Sequence, residues 1–421
     1  MRISIIYNIL RNNSFKNGIL FSVFSFLNKG ISFVLLVILA NYIAPSDYGK
    51  LSLYSTFIMF LGYFISLSTP GYLSQSFFQR DKEDFKIDVS IVIIITLISL
   101  ITILAIFFPL NKYITNLLDL EFDIVLIGIF TVFFSIFFQI HLNLYRLDEK
   151  INKYGIYSCG FAVLNFILTI ILVIIVNFGW KGKIYASLVT YITFFVLAIL
   201  YLYKNRLASK DCLKAHRYKE ILFWSIPLIP HLATTWIKQG CDRYIINSTH
   251  SLEDVGLFSF GLNIANIILM IGTAFNNTNS VNIYKTLSND LIVDKKKALK
   301  ATNRKINLIY MGSTIIIIIS GIIGIPLFFP MYRDSIGYFV IISISMYIQC
   351  LYFLYCNYLF YYKRTQKLML ITFSTSILHL SLSLVLTKYS LIYTSLIYVV
   401  SQVTMVYCVR KQSIKLIKNI K

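Results

Sequence analysis

Charge is what this sequence has least of. Only 14% of its 421 residues are Asp, Glu, Lys or Arg, and 18 are acidic. A water-soluble domain carries about a quarter charged residues, so an ordinary soluble fold is excluded. Cysteine offers no framework either. The six, Cys159, Cys212, Cys241, Cys350, Cys356 and Cys408, form no Cys-x-x-Cys pair and have no histidine at ligand spacing. They read as small buried residues, and no metal site is expected. Also missing are a Walker loop, a Gly-x-Ser-x-Gly elbow, a His-Glu-x-x-His helix and a dinucleotide fingerprint. With no catalytic residues in view, the expectation is a protein that is not an enzyme. No signal-peptide cleavage pattern follows the first apolar segment, which is too long for a leader core and is expected to be a retained span.

What the chain has in abundance is apolar length. Apolar residues make up 57% and the mean hydropathy is +0.73. Twelve segments are long enough to cross a bilayer, at 19–40, 51–69, 87–108, 122–145, 155–177, 184–203, 221–247, 256–279, 306–329, 335–358, 368–386 and 391–409. Strands of a membrane barrel would be about ten residues long and strictly alternating. These runs are twice that, so an all-α integral membrane protein with twelve transmembrane helices is expected.

A net charge of +21 would suggest nucleic acid in a soluble protein. Here its placement points to topology, and no nucleic-acid partner is expected. With the N-terminus inside, 30 of the 39 Lys and Arg fall in inner segments and 6 in outer loops, including Lys183. Lys29, Lys238 and Arg243 fall within spans. A bias that alternates loop by loop puts both termini in the cytoplasm. The basic stretch 204–219 then connects two six-helix lobes, 1–203 and 220–421. Segments 280–305 and 410–421, mixed basic and apolar, are expected on the inner leaflet, held by anionic lipid.

The two lobes carry a repeat. Asp47-Tyr48-Gly49-Lys50-Leu51-Ser52-Leu53 and Asp254-Val255-Gly256-Leu257-Phe258-Ser259-Phe260 share Asp-x-Gly-x-apolar-Ser-apolar at an offset of 207 residues. Six spans per half make the repeats parallel, a plan typical of transporters with a site between the halves. The predicted architecture is therefore two parallel six-helix lobes around a central cavity.

Polar residues inside spans are costly and mark function by default. Ser22, Ser25, Lys29 and Ser32 form one helical stripe in the first span. His231, Thr235, Lys238 and Asp242 form another in the seventh, with Gln239 and Arg243 beside it. Lys29 precedes the repeated Asp by 18 residues and Lys238 precedes its copy by 16, so the lysines are near-equivalent. Asn263 belongs to a polar face of the eighth span, with Ser259, Asn266, Thr273 and Asn277. The fourth span adds Thr131, Ser135 and Gln139. The candidate substrate-binding set is Lys29, Lys238, Arg243, Asp242, His231, Gln239 and Asn263, with Asp242 also a partner for Arg243. Five prolines, Pro45, Pro70, Pro109, Pro326 and Pro330, fall near helix ends or in loops. Pro227 and Pro230 fall inside the seventh span and predict a broken helix there.

The stretch Trp224-Ser-Ile-Pro-Leu-Ile-Pro-His231, then Trp236, Asp242-Arg243 and Asp254 to Phe260, resembles the middle signature of bacterial O-antigen and polysaccharide flippases. Lys29 with Ala44-Pro45-Ser46-Asp47-Tyr48-Gly49 looks like their first-span motif. A proline-containing motif of that family is missing at 280–284. These are the O-unit translocases of the multidrug/oligosaccharidyl-lipid/polysaccharide exporter superfamily. The resemblance implies a two-lobed fold in the bacterial inner membrane, flipping an undecaprenyl-pyrophosphate-linked oligosaccharide outward by alternating access. Lys29 and Lys238 would meet the pyrophosphate. The expected partners are that substrate, membrane lipids, a polysaccharide polymerase and a chain-length regulator. No cofactor is expected beyond H⁺ or Na⁺ coupling, for which Asp242 is the carboxylate available. The alternatives are a membrane-embedded polymerase or glycosyltransferase, disfavoured by short outer loops, and a multidrug cation exporter, disfavoured by the two lysines.

Overall fold

The computed structural model describes residues 13–207, 209, 215–288 and 294–418. The side chains of residues 13–19 and 215, and of Ser22, Ser25, Lys29, His231 and Lys418, lie outside the described set. Among the described residues every regular element is helical. In chain order these are α1 (Asn13–Leu39), α2 (Pro45–Ser66), α3 (Thr69–Gln79), α4 (Lys82–Leu118), α5 (Phe122–Leu147) and α6 (Ile151–Ile170), which ends in a π turn. There follow α7 (Gly179–Lys204), α8 (Ala215–Ser225), α9 (Ile229–Gln239), α10 (Cys241–Thr249), α11 (Leu252–Ser288), α12 (Lys295–Phe328), α13 (Ile336–Tyr361), α14 (Thr365–Leu386) and α15 (Leu391–Lys418).

Nine helices among the described residues are long and apolar enough to cross a membrane, and α2 with α3 makes a tenth, bent by 46°. The other two expected segments are α1 and the interrupted run α8 to α10. That interruption is where the prolines predict it. Pro227 sits in a 3₁₀ turn, Ile226–Leu228, and Pro230 in the first turn of α9. A second break, at Gly240, separates α9 from α10. Many apolar side chains face outward. Ile315, Ile316, Ile319, Ile322 and Ile323 of α12 are exposed, as lipid contact requires.

Pro109 departs from expectation. It lies inside α4, which continues to Leu118 before Asp119 turns left-handed, φ 53°. A helix of 37 residues is roughly 55 Å long, well beyond a bilayer core of about 30 Å. Its last turns, with Lys112, therefore extend past the apolar run that hydropathy detects.

The chain divides into two compact units, Met1–Ile43 with Leu53–Ala233, and Ala44–Ser52 with Thr234–Lys421. The division falls inside the seventh segment, after the 204–219 connector, so α8 belongs with the first unit. There Arg217, only 4% exposed, forms ion pairs with Asp84 and, at 3.1 Å, with the fully buried Asp88. Ser76 of α3 donates to Asp88 at 2.5 Å. Glu220 of α8 accepts from Arg80 at 2.5 Å and from Tyr72 at 2.9 Å, while Trp224 packs edge-on to Tyr72. These contacts clasp α3 between α4 and α8.

In the second unit, α11 and α15 both lie along α13. The repeat motifs meet there. Pro45 and Leu252 begin α2 and α11, again 207 residues apart, and their helices cross at the two repeat glycines. A Cβ on Gly49 would stand 2.1 Å from the Leu252 carbonyl oxygen, and one on Gly256 1.8 Å from that of Pro45. The contact is thus locally two-fold: each glycine admits the carbonyl four residues before the other. Tyr48 fastens it, accepting from Asn263 at 2.8 Å and packing edge-on to Phe260 and Tyr332.

Candidate functional site

The first unit holds an open-sided cavity of about 540 Å³ between α2, α3, α5, α7 and the start of α9. Helical periodicity builds it. Ser55, Met59, Gly62 and Ser66 recur at 4-3-4 spacing and line it from α2. Thr131, Ser135 and Gln139, four apart, line it from α5, which is the stripe read from the fourth span. Tyr63 and Tyr191 contribute rings, and Leu228 and Leu232 an apolar side.

The cavity floor is the break between α2 and α3. Leu67 and Ser68 are both left-handed, φ 44° and 58°. Such backbone costs a non-glycine residue roughly 1–2 kcal/mol, so local bonds must hold it. Ser66 Oγ accepts from the Ser68 amide at 3.1 Å, and Thr69 Oγ1 donates to the Ser66 carbonyl at 2.7 Å. Pro70 and Gly71 then line the cavity from the start of α3, with the Trp224 ring behind Gly71.

His231 falls in the first unit, and the other seventh-segment candidates, Lys238, Gln239, Asp242 and Arg243, fall in the second. The break at Gly240 puts Lys238 and Asp242 on separate helices, yet both turn toward α14 and α15. Lys238 Nζ donates to Thr375 Oγ1 at 3.1 Å and lies 3.4 Å from Met405 Sδ. Asp242, 1% exposed, accepts from His379 Nε2 at 2.9 Å, and His379 Nδ1 lies 3.1 Å from Ser401 Oγ. The carboxylate expected to serve Arg243 is thus engaged by a histidine. Arg243 donates to Ser259 Oγ at 3.1 Å and to the Gln239 carbonyl at 2.5 Å. Asn263 is committed to Tyr48 in the glycine crossing. The side chains of Lys29 and His231 lie outside the described residues.

Three polar groups with tertiary partners escaped the sequence reading. Lys183, counted as an outer-loop cation, stands in α7 and hydrogen-bonds Asn165 of α6. Asp88 lies at the entry to a span, where a carboxylate looks solvated, but is fully buried against Arg217. His379 is a lone histidine in an apolar segment. Its signal was spacing: Thr375 and His379 are four apart on α14, as Lys238 and Asp242 are across from them.

A family model described as a polysaccharide biosynthesis protein matches residues 14–278, more than half of the chain. A protein of the Lsg locus of Haemophilus influenzae is 24% identical over 357 residues, covering 84% of this chain and 86% of that one. An uncharacterized membrane protein of the same organism is 23% identical over 376 residues, 88% of each chain. Among solved structures, the lipid II flippase MurJ in an inward closed conformation superposes with a TM-score of 0.76 at 15% identity, covering 96% of this chain and 90% of that one. An inward-facing MATE multidrug resistance transporter of the MOP superfamily gives 0.75 at 14% identity, covering 93% and 96%. The chain is a multi-pass membrane protein that belongs to the polysaccharide biosynthesis protein family, in the fold that the multidrug transporter and the lipid II flippase share.

Proposed function

We propose that this protein flips a lipid-linked oligosaccharide, an undecaprenyl-pyrophosphate-linked repeat unit of O-antigen or another surface polysaccharide, from the inner to the outer leaflet. The observation that carries the reading is the 540 Å³ cavity lined by hydroxyls, an amide and two tyrosine rings. Its size lies within the range of about 300–1,000 Å³ usual for ligand sites. Hydroxyls and aromatic faces are the groups with which proteins hold sugars, and the chain belongs to a polysaccharide biosynthesis family. The Lys and Arg bias supports cytoplasmic termini in a bacterial inner membrane. Among the described residues lining the cavity there is no carboxylate, which argues against export of organic cations. Lys238, whose described partners are a hydroxyl and a thioether and not a carboxylate, is the group assigned to the pyrophosphate.

The full-length protein in proteoliposomes should make a fluorescent undecaprenyl-pyrophosphate trisaccharide, placed in one leaflet, accessible to a lectin on the other side. Empty liposomes should not. If protein and empty liposomes expose the glycan at the same rate, the proposal fails.

Coupling to a proton gradient is part of the proposal. The carboxylate available for it, Asp242, is buried and hydrogen-bonded to the equally buried His379 at 2.9 Å. Asp242→Asn should abolish stimulation by an imposed pH gradient but leave gradient-free flipping within about threefold, since the amide retains hydrogen bonding to the histidine. Stimulation unchanged in the variant would remove Asp242 from coupling.

A further inference from the structure

The polarity of the cavity is specific about its ligand, if the flippase reading on which this inference rests is right. Two of its serine hydroxyls have already spent their protons. Ser66 Oγ donates to the Gly62 carbonyl at 2.6 Å, and Ser135 Oγ donates to the Val132 carbonyl at 2.7 Å. What these oxygens can still present to the cavity is therefore a lone pair, one on Ser66, whose other accepts from the Ser68 amide, and those of Ser135. Among the described lining residues none carries a charge. These two oxygens match O–H and N–H donors of a ligand, and the neutral hydroxyls and amide beside them suit its uncharged groups. Such a surface opposes a carboxylate, which brings only acceptors and would leave bulk water for a site without a cation.

We propose that this cavity takes an uncharged sugar residue of the cargo, bearing free hydroxyls and an N-acetyl N–H, and discriminates against uronates and other carboxylated sugars. The hydroxyls and amide of a neutral pyranose donate to Ser66 and Ser135. Its apolar face covers Tyr63 or Tyr191. Gln139, exposed and able both to donate and to accept, reads whichever group lies at the rim. The selectivity works by exclusion as much as by attraction, since a carboxylate here meets no described cation and two hydroxyls whose protons are already engaged.

The test is calorimetric titration of the purified full-length protein in nanodiscs with two soluble probes of equal length. One is chitotetraose, all N-acetylglucosamine; the other is a hyaluronan tetrasaccharide, in which alternate sugars are glucuronate. The neutral probe should bind at least about tenfold more tightly, the least that an unpaired carboxylate should cost. Gln139→Lys, at an exposed position, should bring the two within about threefold by supplying the missing cation. Equal binding by the unaltered protein, tighter binding of the hyaluronan fragment, or no binding of either probe would each overturn the inference. The liposome assay separates the two levels. Flipping with equal probe affinities leaves the transporter and removes the selectivity, whereas no flipping of any lipid-linked glycan removes both.

Discussion

Arg217→Ala should strip the first unit of its folded stability, with a loss of about 3–5 kcal/mol. The guanidinium lies between Asp84 and Asp88, is 4% exposed, and faces a carboxylate with no exposure at all. Truncating it strands Asp88 with only Ser76 as a described neutral partner. The cost of a buried unpaired charge far exceeds what the ion pair contributes when intact. We expect a lower melting temperature and a smaller monodisperse peak in size-exclusion chromatography. Asp88→Asn added to Arg217→Ala should recover much of the loss, because an amide needs no counter-charge. Arg80→Ala is the contrast. Its ion pair with Glu220 is a third or more exposed on both sides, 34% and 40%, so water replaces the partner. A melting temperature unchanged by Arg217→Ala would mean that the clasp on α3 contributes nothing.

The second large effect belongs to the glycine crossing. Gly49→Ala and Gly256→Ala each place a methyl group about 2 Å from a main-chain oxygen, at 2.1 and 1.8 Å respectively. Main chain cannot swing aside as a side chain can, so α2 and α11 must separate. Overpacking costs about 1–3 kcal/mol where neighbours can adjust, and here the upper end or more is expected. Small residues are what allow helix backbones to approach so closely in lipid. Gly337→Ala is the control, since a Cβ there meets nothing within 4 Å. It should be neutral or mildly stabilising, by up to about 1 kcal/mol. If Gly256→Ala melts with Gly337→Ala and both yield like the parent, the crossing is looser than the structure indicates. Because the contact is two-fold, the two glycine variants should also resemble one another.

These predictions show where sequence was a sufficient guide. The repeat was visible as two heptapeptides, and the same offset of 207 residues relates the two helix starts and the two glycines that touch. What could not be seen is that the copies touch each other. The stripe of Thr131, Ser135 and Gln139 was legible because α-helical period alone puts those residues on one face. The opposing face of α2 was equally periodic, but serine, methionine and glycine in an apolar span look like packing residues until a cavity is found beside them.

By itself the sequence determined that the chain crosses a membrane many times, that it is helical, and that its seventh segment is broken. Hydropathy over twenty residues, the bias of Lys and Arg, and the missing N–H of Pro227 and Pro230 all act locally along the chain. Only the tertiary structure decided what each buried polar group answers to. Asp242 meets His379 across 137 residues, and Arg217 meets Asp88 across 129. A polar side chain in an apolar segment must find a partner, but the sequence states only the need. Packing chooses the partner, because it is set by which helices lie side by side and by the turn of each about its axis. The same packing left Ser66 and Ser135 to satisfy themselves on their own helices, and so set the character of the cavity.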